Sequence, residues 1–198
     1  MIFRDLGIAE YQPTCESMQD FTATRTDKTE DEIWLLEHPP VFSQGLNGKA
    51  EHILDPKDIP VIDTDRGGQV TYHGPGQLIA YTLIDLKRRN IGVRDMVTKL
   101  ENSVVALLAD LDIKGEARKE APGVYVDNYK IAALGLRIKR GACYHGLSLN
   151  VAMDLLPFSY INPCGYKRMN VTDLRSLGLN LTLSEVKKKL TFTLQQQF

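Results

Sequence analysis

Apolar and polar residues alternate with strand-like spacing in several parts of the chain. Residues 2–7 and 32–37 predict two short strands. Residues 61–86 mix β-branched and polar residues around a cluster of glycines, which predicts strands joined by an unusual turn. Residues 122–152 predict a hairpin or a three-stranded meander, whereas residues 41–60 predict a loop-rich connection.

Helical spacing of apolar residues occurs in three further segments. Residues 10–26 predict a helix that carries Cys15 on its apolar face. Residues 93–111 predict the clearest helix, which we interpret as a core helix without chemistry. Its apolar stripe consists of Val93, Val97, Leu100, Val104, Leu107, Leu108 and Leu111. The run from Thr182 to Glu185 is a potential capping box, which predicts the start of a last helix.

The predicted strands and helices follow one another in a mixed order, without regular strand–helix–strand repeats. This order favours an α+β fold with a mixed, mostly antiparallel sheet flanked by helices. The 198 residues, of which 43% are hydrophobic, are sufficient for one substantial core. Since no linker-like segment interrupts them, we expect a single domain over residues 1–198.

The charge balance excludes a general attraction to nucleic acid or to anionic membranes. The chain has 24 basic and 25 acidic residues, a net charge of −1. A charge-driven partner would need a local patch, for which the candidates are Lys87–Arg89, Arg137–Arg140 and Lys167–Arg168. The first residues lack the pattern of a signal peptide, and no apolar run approaches the roughly 18 residues of a membrane span. We therefore expect a soluble, cytoplasmic protein.

Three cysteines are candidates for nucleophilic chemistry. Their odd number and wide spacing match neither a disulfide framework nor a zinc site. Cys164 lies between a proline and a glycine, where a turn would expose its thiol. Cys143 is a rival, because His145 would point to the same side of an extended segment. Cys15 lies on an apparent helix face, where a buried thiol is the simpler interpretation.

Two other segments contain residues that are suited to a site. From Arg66 to Gly76 the chain combines a fixed charge, paired glycines and His73, which could form a ligand-binding loop. A glycine-rich hairpin with a buried His73 is an equal alternative. Lys130 begins an apolar strand, and by its residue type alone a lysine that reaches out to water is the favoured interpretation. The four histidines lack metal-ligand spacing, so we assign no metal site.

Four ordered motifs, RGGQVTYHGPGQLIAYTLIDL, KIAALGLRI, YHGLSLNV and INPCGY, resemble those of the octanoyltransferase family. These lipoyl(octanoyl) transferases belong to the superfamily of biotin and lipoate protein ligases. The resemblance covers nearly the whole chain and implies the catalytic-domain fold of that superfamily. It also implies an acyltransferase of lipoate biosynthesis and protein lipoylation that uses no cofactor and acts as a monomer.

The resemblance further implies the substrates and the residues that act on them. Octanoyl would pass from octanoyl-acyl carrier protein to Cys164 as a thioester, with Lys130 lowering the pKa of the thiol. The acceptor would be a lysine of lipoyl domains, in 2-oxoacid dehydrogenase E2 subunits and the glycine cleavage H protein. The implied acyl-binding residues are Arg66, Gly67, Gly68, Gln69, Val70, Thr71, Tyr72, His73, Ala133, Leu134, Gly135, Gly146, Leu147 and Ser148.

Three alternatives stay open at this point. An ATP-dependent lipoate or biotin ligase of the same fold would need no nucleophilic cysteine. An amidotransferase would move octanoyl between lipoyl domains, also through a cysteine. A binding module would sequester acylated carriers without turnover.

Overall fold

A computed structural model describes residues 1–163 and 170–198. Ten strands and four helices occur in these two ranges, together with short 3₁₀ turns at Ala50–His52 and Leu156–Tyr160. The strands are β1 (Ile2–Ile8), β2 (Glu32–Glu37), β3 (Val41–Gln44), β4 (Val61–Asp63), β5 (Val70–His73), β6 (Gln77–Asp85), β7 (Glu116–Ala117), β8 (Gly123–Val126), β9 (Tyr129–Lys139) and β10 (Ala142–Asn150). The helices are α1 (Tyr11–Thr24), α2 (Leu86–Arg89), α3 (Val93–Ala109) and α4 (Leu183–Gln197).

The strands form a large sheet and a small one. The large sheet has the order β1-β2-β6-β10-β9-β8-β7, in which only β1 and β2 are parallel. The small sheet has the order β4-β3-β5 and contributes one wall of the site described below. In the large sheet, Gly146 lies between Tyr81 on β6 and Gly135 on β9. This register brings three separate parts of the sequence side by side.

Helices cover both faces of the large sheet. On one face, Leu100 of α3 and Leu190 of α4 pack into the main core with Leu147 of β10. On the other face, Met18 of α1 packs against Tyr81 in a smaller core. The central strands carry apolar residues on both faces, because helices cover both faces of the sheet. None of the helices among residues 1–163 and 170–198 is both long and apolar enough to cross a membrane.

Most predicted elements are confirmed, including the α+β class and the largely antiparallel sheet. The capping box is also confirmed, since Thr182 and Glu185 exchange hydrogen bonds at the start of α4. Residues 41–60 are loop-rich as predicted, except that the prediction missed the strand at their start, where β3 pairs with β4 and β5. The predicted stripe of α3 is confirmed at Leu100, Val104, Leu107 and Leu108, which are buried. Val93 is 50% exposed instead, and Glu101, which was not part of the stripe, is buried.

Candidate active site

Lys130 is a buried lysine near the start of β9. Its side chain is only 4% exposed, so the interpretation that it reaches out to water is wrong. The Nζ atom donates to Pro122 O at 3.2 Å and lies 5.3 Å from the centre of the Tyr125 ring. Space for the ammonium exists because Gly123, with a φ of +146°, has no side chain. A Cβ atom there would lie 2.9 Å from Lys130 Cε and 3.2 Å from Nζ.

Cys164 lies outside the described residues, as do Lys167 and Arg168. The chain on both sides of this segment is fixed by backbone hydrogen bonds. Before it, Asn162 N donates to His52 O at 2.8 Å. After it, Lys130 N donates to Asn170 O at 2.9 Å, and Thr172 N donates to Lys130 O at 3.0 Å. The chain after this segment, from Asn170 to Thr172, therefore lies against the main chain of Lys130.

Two adjoining cavities extend along β9 and β10 from Lys130. The smaller, of about 290 Å³ if space open to solvent is included, is lined by both Lys130 and Pro163, the residue before Cys164. The larger, of about 480 Å³ on the same basis, follows the glycine-rich segment. The two cavities share three wall residues, Thr71, Ala133 and Ser148. Lys130 lines the smaller cavity but not the larger one.

Most of the implied acyl-binding residues line these cavities. The larger cavity contacts eleven of them: Arg66, Gly68, Gln69, Thr71, His73, Ala133, Leu134, Gly135, Gly146, Leu147 and Ser148. Val70 and Tyr72 do not line it, because alternate residues of β5 face opposite sides and these two pack against Phe42. Gly67 contacts the wall through its backbone, where its N–H donates to Leu136 O at 2.9 Å.

Arg66 is a buried cation beside the larger cavity. Its guanidinium donates to Ser43 O at 2.5 Å, to Ser43 Oγ at 2.9 Å and to Gly67 O at 2.9 Å. Gly135 on β9 allows this approach, since a Cβ atom there would lie 3.1 Å from Arg66 Cδ and from Gly67 O. The side chain is therefore fixed from several directions and acts as a rigid part of the cavity wall.

His73 links the cavity wall to a buried hydrogen-bond chain. Its Nε2 lies 3.1 Å from Ser43 Oγ and its Nδ1 lies 2.7 Å from Gln77 Oε1. Burial lowers the pKa of His73 well below its usual value, and the neighbouring His38 contributes in the same direction. His73 is therefore poorly suited to act as a base. His73 is buried and both ring nitrogens are occupied, but its ring also lines the larger cavity, so the ligand-binding loop stays a prediction.

The hydrogen-bond chain continues from Gln77 toward Lys130. Gln77 Nε2 donates to Asn150 Oδ1 at 2.9 Å, and Asn150 Nδ2 donates to Thr172 O at 2.9 Å. Thr172 in turn donates its N–H to Lys130 O. The hydrogen-bond chain connects the wall of the larger cavity with Thr172 and the main chain of Lys130.

A polar aromatic cluster lies beside the larger cavity, and two of its members, Tyr11 and His38, stand outside the four motifs. His38 Nδ1 donates to Ala9 O at 2.6 Å, which leaves Nε2 to accept from Tyr81 at 2.7 Å. Burial lowers the pKa of His38 to about 4. Tyr11 stacks on His73 with ring centres 5.6 Å apart. The sequence signal that could have indicated this cluster is the occurrence of polar aromatic residues within otherwise apolar runs.

The rival pair of Cys143 and His145 does not form. Cys143 belongs to β10 rather than to a turn, is fully buried and donates to Thr82 O at 3.4 Å. His145 has a φ of +60°, which turns its ring to the side of Tyr144, where Nε2 donates to Asp65 Oδ1 at 3.0 Å. The prediction that both side chains share one side is therefore wrong.

Neither described cysteine is a reactive thiol. Burial raises the pKa of Cys143 and of Cys15 to about 11 in each case. A thiol with so high a pKa is protonated at neutral pH and is a weak nucleophile.

The candidate basic patches differ in whether their side chains form ion pairs within the fold or are exposed to solvent. Arg88 and Arg89 both donate to the buried Asp31 at 2.6 Å, so their charges are neutralised within the fold. Lys139 and Arg140, at the turn between β9 and β10, are exposed. In the run Lys87–Arg89, the two arginines thus stabilise the fold rather than present free charge to a partner.

Comparison with known proteins assigns this fold to a class of catalytic domain. A family model described as the lipoyl protein ligase A/B catalytic domain matches residues 13–195. The structure of a bi-partite lipoate protein ligase from Thermoplasma acidophilum has a TM-score of 0.75 with 16% identity, covering 100% of this chain and 84% of that one. A biotin protein ligase from Aquifex aeolicus has a TM-score of 0.59 with 12% identity, covering 100% and 68%. Both are similar in fold.

A more similar relative narrows the class. The octanoyltransferase of Chromobacterium violaceum is 57% identical over 189 residues, which cover 96% of this chain and 91% of that protein. The chain therefore belongs to the octanoyltransferases within the lipoyl protein ligase A/B catalytic domain family. The predicted family and the predicted fold class are confirmed.

Proposed function

We propose that this acyltransferase takes octanoyl from octanoyl-acyl carrier protein, holds it on Cys164 and passes it to a lysine of a lipoyl domain. The name of its relatives supports octanoyl transfer in lipoate biosynthesis. The Thermoplasma ligase is described together with its E2 lipoyl domain, which supports a lipoyl-domain acceptor here. The proposed acceptors are E2 subunits of 2-oxoacid dehydrogenases and the glycine cleavage H protein. We propose a cytoplasmic monomer.

One observation carries the proposal: Lys130 and Pro163 line the same cavity. Cys164 follows Pro163 directly in the sequence, which supports a thiol that acts together with the Lys130 ammonium. A free cysteine has a pKa near 8.5, and a neighbouring positive charge lowers that value. Lys130 would therefore increase the thiolate fraction at neutral pH.

The first chemical step exchanges one thioester for another. The Cys164 thiolate attacks the carbonyl carbon of the donor, and the carrier thiolate leaves and takes up a proton. Because the donor already contains an activated acyl group, this step needs no ATP. The octanoyl chain then lies along the cavities, where burial at about 0.8 kcal/mol per CH₂ contributes on the order of 5 kcal/mol.

The second step forms the amide. The neutral ε-amine of the acceptor lysine attacks the Cys164 thioester, the C–N bond forms, and the cysteine sulfur leaves as a thiolate. The attacking nitrogen must lose a proton, and Lys130 in its neutral form would accept it. If Lys130 gives its proton to the departing carrier thiolate in the first step, it is neutral at the start of the second, so one buried lysine could fill both roles in turn.

Intact-protein mass spectrometry after mixing with octanoyl-acyl carrier protein tests the proposal. We expect one added octanoyl group, and peptide mapping should locate it on Cys164. The Cys164→Ala variant should lose both the adduct and transfer, whereas Cys143→Ala, which removes a buried thiol, should keep both. An adduct on another residue, or full transfer by Cys164→Ala, would contradict the mechanism.

A further inference from the structure

Glu101 is a buried carboxylate on the core face of α3. It is 8% exposed and lies beside Leu100 and near Val104 in an otherwise apolar stripe. Burying a carboxylate is costly unless its oxygens receive hydrogen bonds. Glu101 Oε1 accepts the backbone N–H of Gly123 at 3.0 Å. The Glu101 carboxylate therefore contacts the first residue of β8.

The start of β8 is the wall of the Lys130 pocket. Pro122 O accepts the Lys130 ammonium at 3.2 Å, and the bare Cα of Gly123 gives room to Cε and Nζ. These two consecutive residues thus contact the ammonium and the carbon that carries it. The hydrogen bond to Glu101 holds them in place from the helix side. Burial raises the pKa of Glu101 and the Lys130 charge lowers it, which is consistent with their proximity.

We propose that Glu101 is the positioning residue for Lys130, acting through its hydrogen bond to Gly123. The inference rests on the proposed function, because Lys130 matters only as the group that activates Cys164. Without this bond, the Pro122–Gly123 corner would lose its support from α3. The ammonium would then shift away from the thiol.

Isosteric and truncating variants separate this role from a direct effect of charge. Glu101→Gln keeps an oxygen that accepts the Gly123 N–H but removes the negative charge. Glu101→Ala removes both. The readout is the rate of iodoacetamide modification of Cys164 against pH, followed by peptide mapping, and it requires no acyl donor. The two described cysteines are buried with raised pKa values and should react slowly.

We expect Glu101→Ala to raise the apparent thiol pKa by about one unit, which is a tenfold loss of thiolate at fixed pH below the pKa. Glu101→Gln should stay close to the unaltered protein. If Gln and Ala have equal effects, the charge is what matters and the positioning role is refuted. If neither changes the profile, the inference is also refuted.

Two controls separate positioning from general loosening. In a Lys130→Ala background, Glu101→Ala should cause no further shift, since the group that it positions is already gone; an additional shift would overturn the inference. Ser103→Ala removes a buried hydrogen bond of the same helix, from Oγ to Lys99 O at 2.8 Å, and should leave the profile unchanged. Failure of the proposed function itself would appear differently, as an octanoyl adduct that maps away from Cys164 in the unaltered protein.

Discussion

Gly135→Ala should shorten the acyl chain that the pocket accepts. The added methyl group would lie 3.1 Å from Arg66 Cδ and from Gly67 O, closer than the roughly 3.5–4.0 Å of an ordinary contact. Arg66 cannot easily retreat, because its guanidinium donates to Ser43 and Gly67. Either the methyl group or a displaced Arg66 side chain must then occupy space in the larger cavity.

The size of the effect follows from the lost burial. Displacing about two methylene groups, at about 0.8 kcal/mol each, costs about 1.6 kcal/mol, or about fifteenfold in binding. The fold should tolerate the change, since alanine loses less conformational freedom than glycine by about 0.5–1 kcal/mol. That gain offsets part of the tight contact.

The assay compares kcat/KM for octanoyl and hexanoyl groups on the same carrier protein. We expect the octanoyl value of Gly135→Ala to fall by about fifteenfold relative to the hexanoyl value. A thermal melt should show little change in Tm. Gly92→Ala, whose methyl group would meet only the Asp95 side chain at the start of α3, should leave the chain-length preference unchanged. Equal losses for both chain lengths, or no loss, would refute the placement of the acyl chain beside Gly135.

The remaining predictions concern Lys130, energy supply and acid stability. Lys130→Arg should form acyl-enzyme but stall in single-turnover transfer, because arginine keeps its proton at any working pH; transfer at the unaltered rate would assign the base elsewhere. Turnover should persist with nucleotide removed and chelator in excess, and strict ATP dependence would favour a ligase. Burial opposes ionisation of Asp65, but hydrogen bonds from His145 and Tyr144 hold its pKa at about 2. Because this folded value lies below the unfolded one, its stabilisation, on the order of 1–2 kcal/mol, should be complete above about pH 4 and disappear toward pH 2. Asp65→Asn should flatten that part of the curve of unfolding free energy against pH, and an unchanged slope would contradict the assignment.

Local patterns were sufficient to predict most strands and helices. Residues 32–37 and the capping box at Thr182 carry their own signals, because alternation and capping depend on neighbours a few residues apart. The short strand β3 was missed, since its four residues stand beside prolines and glycines and are stabilised by pairing with β4 and β5. A strand that is stabilised by partners from another part of the sequence cannot be recognised from its neighbouring residues alone.

The sequence by itself determined the order of elements, the family and the motif positions Lys130 and Cys164, which remain proposals as catalytic residues. Only the tertiary structure decided which side chains meet. His145 reaches Asp65, 80 residues away, because one residue of β10 adopts a positive φ that its alternation pattern does not signal. In the sequence, Glu101 is one polar residue on a predicted core helix, and only the packing of α3 on β8 brings it to Gly123. Such contacts depend on strand register and helix placement, and both are set by long-range packing. The motifs that identify the family are contiguous runs of residues, so the sequence alone is enough to recognise them.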